Sequence, residues 1–484
     1  MKKNKILLVS LMLLSGGVFM QSCSDDFIDV APSESMTIGD LEKFNNDNGA
    51  SYFVNSIYAK FLDWNMSTFA WIGVTSIVSD DADKGSSPGD NGSDKNILDA
   101  LTFTATTPSF KELFAANYQG INRANQALLY IPQLDKADPA LRARLIGEAK
   151  FLRAFMYFTL VRSFGGVPLV DHVPVQGNEA DKKMQLTRVS KEEIYAFIEK
   201  DLKDAIQALP TGTGGAKATQ GAAHALLAKV YLYQKKWQLA VDETNLVTGY
   251  SLTPNFIDIY KVSGENNAES IFEINGSGSD NGRAIQQYTQ VQGARGTGGW
   301  GWGFSTPTQG LYDAYSATDT RRDATIIHRD MTLYDNRYVP ATVENKFYNY
   351  KAYSSAFTDQ ASTDVNIRYL RYAEVLLIKA EAMNELGQTS AAIPFLNQVR
   401  NRANIGDTPA SSQTDVRTDI WKQRRLELAF EHDRWFDLVR TGQAATAMAA
   451  DGGKVFKVGT HEVFPLPQDF ITEAGGLSAQ NPGY

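Results

Sequence analysis

Two stretches of this chain carry the same helical pattern, and that repetition limits the folds open to it more than any single residue does. Leu226-Leu227-Ala228-Lys229 begins an apolar run at helical spacing that turns near Lys236-Trp237 and resumes at Ala240-Val241. Leu376-Leu377-Ile378-Lys379 begins another, which turns at Gly387-Gln388 and resumes at Ala391-Ala392. Each reads as a helical hairpin with small residues where its helices cross. A hairpin of this size cannot cover its apolar face alone and must stack on a neighbour. Cys23 is the only cysteine, so neither disulfides nor Cys-ligated zinc can substitute for that packing.

Both hairpins resemble a tetratricopeptide unit, and other helices can extend the stack. Lys111 to Ile131 places Leu113, Phe114, Ile121 and Leu128 at helical spacing and stops at Pro132. A longer helix runs from about Pro139 to Phe164, ended by Gly165-Gly166. Ser190-Lys191-Glu192-Glu193 is a capping box, in which the serine and Glu193 satisfy each other's free amides. The stripe Ile194, Phe197, Ile198, Leu202, Ala205, Ile206 and Leu209 follows, closed by Pro210. The expected fold class is mainly α: helical hairpins forming a scaffold, with loop-rich insertions and a few short strands.

The N-terminus reads as an export signal. Lys2, Lys3 and Lys5 precede an apolar run from Ile6 to Met20, too short to span a bilayer comfortably. A thiol directly after such a run suits acylation, as in bacterial lipoprotein signals. Residues 1–22 are therefore expected to be a signal peptide and Cys23 a lipid anchor. Residues 23–484 are expected to form one unit, with loop insertions near 64–108 and 263–365. Ser24-Asp25-Asp26 resembles the acidic stretch that directs some bacterial lipoproteins to the outer cell surface. Two acyl chains hold a protein on a membrane stably where one is marginal.

Charge excludes one class of partner. The chain has 47 Lys+Arg against 55 Asp+Glu, a net of −8 with no basic patch of consequence, so nucleic acid is not expected.

The insertions are where chemistry is expected. Ile271 to Ile274 reads as a short strand, while Asn275 to Gly303 is rich in Gly, Ser, Asn and Gln, and Asp80 to Asn96 is also loop-like. Loops on rigid scaffolds commonly carry function. Gly298-Gly299-Trp300-Gly301-Trp302-Gly303-Phe304 stands out, because glycine on both sides of each tryptophan weakens any regular element that would bury the rings. Such rings suit a glycan, whose C–H faces stack on aromatic faces while its hydroxyl edges take Asp, Asn, Gln or Arg. Tyr288 and Arg295 lie in the same insertion, with Gln286, Gln287 and Gln292.

Several blocks together resemble the SusD/RagB family of outer-membrane nutrient-binding lipoproteins. They run from Gly147-Glu148-Ala149-Lys150-Phe151-Leu152-Arg153-Ala154 to Phe164-Gly165-Gly166-Val167-Pro168-Leu169, then Leu370-Arg371-Tyr372-Ala373-Glu374-Val375 and Leu396-Asn397-Gln398-Val399-Arg400. The most diagnostic is Arg424-Arg425-Leu426-Glu427-Leu428-Ala429-Phe430-Glu431, continuing through Arg434-Trp435-Phe436-Asp437; the chain closes with Gln480-Asn481-Pro482-Gly483-Tyr484. The resemblance implies four tetratricopeptide-like hairpins and a glycan surface on the insertions. It also implies a SusC-like TonB-dependent transporter as partner, and an address on the outer membrane, lipid-anchored and facing outward. Similar Trp-bearing loops in the family sit at the ligand, which points to Trp300 and Trp302. Trp71, ahead of Ser79-Asp80-Asp81-Ala82, and Asp81 itself fall in a segment resembling one near the family's pocket. The mixed charges of Arg424, Arg425, Glu427, Glu431, Arg434 and Asp437 read as an internal ion-pair network that docks helices; Glu427/Glu431 share a face, as do Arg434/Asp437.

The chain is read as a glycan-binding lipoprotein without catalysis. The alternatives are a secreted carbohydrate-active hydrolase, whose carboxylate pair is defined only in space, and a helical-repeat scaffold that binds protein alone. No cofactor is expected. A structural calcium ion near Asp90, Asn91 and Asp94 is possible, but their spacing fails the EF-hand pattern. Gly296-Thr297-Gly298-Gly299-Trp300-Gly301 matches a dinucleotide fingerprint without its strand–helix context, and His328-Arg329-Asp330 lacks the companions of a kinase loop. The five histidines show no metal-ligand spacing.

Overall fold

The computed structural model of this chain describes residues 38–90, 92, 94–277, 285, 287–354 and 363–484. The expected signal peptide and Cys23 lie outside the described residues, as do Asn91 and Gln286. Among the described residues no helix is long and apolar enough to cross a membrane.

The Pro139–Phe164 helix is the central pillar. Asp138 caps it, its carboxylate accepting from the Leu141 amide at 2.7 Å, and Pro139 opens the first turn, where no amide partner is needed. From Phe151 to Val161 every residue is buried, so this stretch is surrounded rather than lying on a surface. The Pro108–Tyr130 helix packs on one side of it, and Asp47–Lys60 packs on both. On the other side lies Lys191–Ala208, whose capping box is formed in both directions: the Glu193 amide donates to Ser190 Oγ at 3.2 Å and the Ser190 amide to Glu193 Oε2 at 3.0 Å. Its buried stripe is Ile194, Ile198, Leu202, Ala205 and Ile206, with Phe197 half-covered beneath the Arg153 guanidinium.

Both expected hairpins form. Gln220–Tyr233 turns into Trp237–Leu246, and Tyr372–Glu385 into Thr389–Arg402. Ala222, Ala223, Ala225 and Ala228 are buried in the first, Ala373, Ala380, Ala382 and Ala392 in the second, and these small side chains let the helices approach closely. Trp237–Leu246 packs on Tyr372–Glu385, which joins the two hairpins, and Gln413–Leu428 closes the far end.

Among the described residues six short strands stitch the insertions to this scaffold: β1 (Ala82–Gly85), β2 (Ser270–Ile274), β3 (Phe304–Pro307), β4 (Ile326–His328), β5 (Phe347–Asn349) and β6 (Ile367–Arg371). They pair antiparallel as β1 with β3, β2 with β6, and β4 with β5. The strand expected at Ile271 to Ile274 is β2. Its partner β6 carries Arg368 and Arg371, yet all five of its residues are buried.

That burial is possible because the charges meet there. Arg371 bonds both carboxylate oxygens of Glu431 and also reaches Glu269 and Glu427. Glu427 further takes Arg402 and Arg321, and Lys351 donates to Glu431 at 2.6 Å. Burial alone would raise the carboxyl of Glu431, but Arg371 and Lys351 outweigh it and hold it at about 2. A second cluster joins Arg424 and Arg440 to Asp437, and Arg440 to Glu381. The expected docking network is thus present, with one difference: Arg434 leaves Asp437 to the other two arginines and reaches instead to Asp80.

Candidate functional site

The helix Tyr288–Gln292 ends in Gly293, and the following loop folds back onto it. The Trp300 and Gly301 amides donate to the Ala294 carbonyl at 2.7 and 2.8 Å, the Trp302 amide to Gln290 O at 2.8 Å, and the Gly303 amide to Gly293 O at 2.9 Å. This tight backbone contact requires glycine, since a Cβ on Gly301 would sit 2.5 Å from the Gln290 oxygen.

The two tryptophans of the loop part company. Trp300 is buried, 3 % exposed, in a satellite core with Ile327, Leu333, Val339, Val343 and Tyr353. Its ring meets Tyr353 edge-on with centroids 5.4 Å apart, and the Arg337 guanidinium lies 5.1 Å from its centre. The expectation that glycine flanks keep this ring out of a core is therefore corrected: the glycines let the backbone double back, and the doubling back drives Trp300 inward. Trp302 is half-buried and meets Trp64 edge-on at 6.2 Å. Trp64 continues to Phe69 at 5.2 Å, and Phe69 to Phe304 at 5.0 Å, so four rings from two insertions form one aromatic row.

Arg295 stands in the same loop, its side chain 32 % exposed. It donates to Ser86 Oγ and Asp90 Oδ2 at 3.2 and 3.1 Å and pairs with Glu344 at 3.1 Å. It thereby ties Ser86 and Asp90 to the Trp302 loop. The 293–303 loop thus carries both a ring of the aromatic row and a partly exposed guanidinium paired with two carboxylates.

Three expected site residues lie deeper. Trp71 is 2 % exposed, its ring 5.4 Å from His432 and 6.1 Å from Tyr369. It sits two residues before a wide π-helical turn, Gly73–Ile77, that places Thr75 Oγ1 2.9 Å from His432 Nδ1. Tyr288 is 5 % exposed and its hydroxyl is 3.1 Å from His432 Nε2. Burial pushes the His432 imidazole down to about 4, so it is neutral at pH 7. Asp81 is buried against Arg425, Nε to Oδ1 at 2.7 Å, and burial raises its carboxyl. Trp71, Tyr288 and Asp81 are thus parts of the interior rather than of an open surface, because partners far along the chain complete their environment. Gln292 is likewise buried, accepting from Asn349 Nδ2 at 2.8 Å.

The acidic turn considered for calcium is also committed elsewhere. Asp94 pairs with Lys95 at 2.7 Å and accepts from Ser109, while Asp90 accepts from Ser86 and Arg295. Among the described residues no group of three or more His, Cys, Asp or Glu side chains is arranged to hold a metal ion.

Sequence reasoning singled out Trp302 and Arg295 in the second insertion but did not single out Trp64 and Phe69, which the structure sets in the same row as Trp302. Their signal was available: both sit at the start of the 64–108 insertion, next to Trp71.

One further feature holds the site's base. The Lys454 ammonium donates to the carbonyls of Ile77, Ser79 and Ala82 at 2.6, 2.5 and 2.7 Å and lies 2.9 Å from Asp99 Oδ1. An oxygen cage of this kind pins the turn that carries Asp80 and Asp81.

Residues 334–484 match a family model described as the SusD family, and residues 44–232 match one described as starch-binding associating with outer membrane. The chain is 28% identical to SusD-like protein P2 of Formosa agariphila, with all of both chains covered. It is 26% identical to a SusD-like protein of Bacteroides ovatus, over 90% of this chain and 82% of that one. Among solved structures, a laminarin binding SusD-like protein aligns with a TM-score of 0.76 at 28% identity, covering 91% of this chain and 100% of the other. Surface glycan-binding protein A from Bacteroides thetaiotaomicron, in complex with laminarihexaose, aligns with a TM-score of 0.75 at 23% identity, covering 90% and 99%; at that identity the likeness speaks for the fold.

Proposed function

This chain belongs to the SusD family, and from that premise we propose that it binds an oligosaccharide or polysaccharide at the cell surface and passes it, uncleaved, to a TonB-dependent outer-membrane transporter. In this reading Cys23 carries the lipid anchor and the stacked hairpins dock on a SusC-like partner.

The observation that carries the reading is the half-buried Trp302 ring set against Trp64, with the partly exposed Arg295 in the same loop. Sugar C–H faces stack on such rings at small entropic cost, because an aromatic side chain has few torsions to freeze. The guanidinium and the carboxylates of Asp90 and Glu344 can then take hydroxyls. Support for the ligand class comes from the 28% identical relative, which is a laminarin binding protein. Support for the absence of cleavage comes from charge balance within this molecule: Asp80 and Asp81 face Arg425 and Arg434, and Glu427 and Glu431 face arginines and a lysine, so these four carboxylates are already paired.

The test is retention of the lipid-free chain on affinity gels containing laminarin, starch, xylan or inulin. Wild type is expected to be slowed by at least one, and a folded Trp64→Ala/Trp302→Ala variant to migrate freely. Chromatography of the incubated glycan that reveals shortened products would replace this reading with a hydrolase. Equal migration of both proteins in every gel would remove the aromatic row from the site.

A further inference from the structure

A concave surface lies elsewhere in the molecule, and none of its lining residues belongs to the Trp302 loop or the aromatic row. It is a cleft of about 500 Å³ between the 102–106 segment and the last turns of the chain, with Phe103, Thr104, Lys457, His461, Gln468 and Tyr484 among its walls. That volume falls within the range of small-ligand sites, about 300–1,000 Å³.

One wall is aromatic and rigid. The half-buried Tyr484 ring lies nearly parallel to Phe103, at 26° with centroids 6.1 Å apart, and to His461, at 17° and 6.4 Å. Phe103 meets Phe464 edge-on, and Phe464 stacks on Trp435 at 15°. The Tyr484 hydroxyl donates to the Val463 carbonyl at 3.2 Å, which fixes the ring's tilt. Gly483 makes the approach possible: its φ is +89°, and a Cβ there would come within 2.3 Å of Thr460 Oγ1. The result is a ring held from behind by other rings and only half covered.

The 102–106 segment adds a row of hydroxyls to the lining. Thr102, Thr104 and Thr106 are all exposed, and Thr104 Oγ1 lies 2.9 Å from Thr106 Oγ1. The Gln468 amide N–H donates to Ala105 O at 2.9 Å, which places its exposed side chain at the rim. His461 accepts from the Lys457 amide and is neutral at pH 7, since burial holds it near 4. Among the named wall side chains only Lys457 then carries a charge.

We propose that this cleft is a second carbohydrate site, in which a neutral, hydroxyl-rich sugar ring stacks on Tyr484 and is met at its edges by Thr104, Thr106, Gln468 and Lys457. The ligand class rests on the reading of the chain as a glycan binder; the location rests on this geometry alone. An aromatic floor with hydroxyl, amide and single-ammonium edges suits an uncharged sugar better than a dianion or an apolar molecule.

Isothermal titration of the lipid-free chain with hexasaccharides of laminarin, starch, xylan and inulin separates the two sites. Wild type is expected to bind two molecules of the best ligand. Trp64→Ala/Trp302→Ala should bind one, and Thr104→Lys, an exposed substitution that fills the cleft without touching the ring stack, should also bind one. Tyr484→Ala, checked for folding by circular dichroism, should behave as Thr104→Lys does. A folded Trp64→Ala/Trp302→Ala chain that binds nothing, or a Thr104→Lys chain with unchanged stoichiometry, overturns the second site. A Thr104→Lys chain that loses all binding, while the tryptophan variant keeps it, retains this site and overturns the Trp302 reading. A wild-type chain that binds none of the four overturns both.

Discussion

Arg371 grips Glu431 with both arms of its guanidinium, Nε to Oε2 and Nη2 to Oε1, each at 2.7 Å. The pair joins a buried strand to the turn that follows the Gln413–Leu428 helix, and neither side chain has water to fall back on. Arg371→Met is expected to destabilise the chain by about 3–5 kcal/mol, because it leaves Glu431 and Glu427 short of a buried partner. Urea unfolding would show a lower midpoint; an unchanged midpoint would mean that the network adds no cohesion.

Acid should unfold the protein in two stages. The His432 imidazole titrates near 4 when folded and near 6.5 when not. Between those values the unfolded chain holds a proton that the folded one refuses, so stability falls as pH drops through that window, by about 3 kcal/mol in all. Glu431 adds a second loss: its folded value of about 2 lies below the unfolded one, so its stabilisation is present above pH 4.5 and fades as pH falls toward 2. Melting temperatures measured from pH 7 to pH 4 for wild type and His432→Gln check the first stage; parallel curves would refute it.

The two loop tryptophans should separate cleanly. Trp300→Ala removes a buried ring and is expected to cost about 3–5 kcal/mol of stability. Trp302→Ala is expected to leave stability within about 1 kcal/mol while weakening glycan binding by about 2 kcal/mol, or roughly thirtyfold. Denaturant melts and affinity gels on the same two variants read both effects, and a reversed pattern would exchange the roles.

Lys454→Met takes the ammonium out of its oxygen cage and strands three buried carbonyls. A loss of about 2–4 kcal/mol is expected, together with faster amide exchange in residues 77–82, observable by hydrogen-exchange mass spectrometry. Exchange confined to residues 451–461 would show that the cage follows the turn rather than holding it.

The anchor has its own test. Cys23→Ala should move the protein from the membrane fraction to the soluble fraction of the producing cells; continued retention would point to attachment through protein contacts alone.

The helical scaffold was legible because its information is local. The Ser190–Glu193 capping box, Pro139 at a helix start and the alanines of both hairpins act within a few residues of themselves. Strand β6 was not legible, since Arg368 and Arg371 look like surface residues until Glu273, Glu269, Glu427 and Glu431 arrive from elsewhere in the chain. The same holds for the candidate site. Trp300 and Trp302 share identical glycine neighbours, and what divides them is Tyr353 and Arg337 on one side and Trp64 on the other. Local sequence could nominate the loop but could not say which ring faces outward.

The tail of the chain ties back to its early helices. Asn481 donates to the carbonyls of Phe164 and Phe464, Arg188 holds Ala479 and Asn481, and Lys454 grips the turn before β1. Until residues 454–484 have left the ribosome, the groove beside Phe110, Phe114 and Phe164 has nothing to cover it. A nascent chain of this protein therefore carries an uncovered oily seam from the time Phe164 is made until Phe464 and Phe470 arrive to close it.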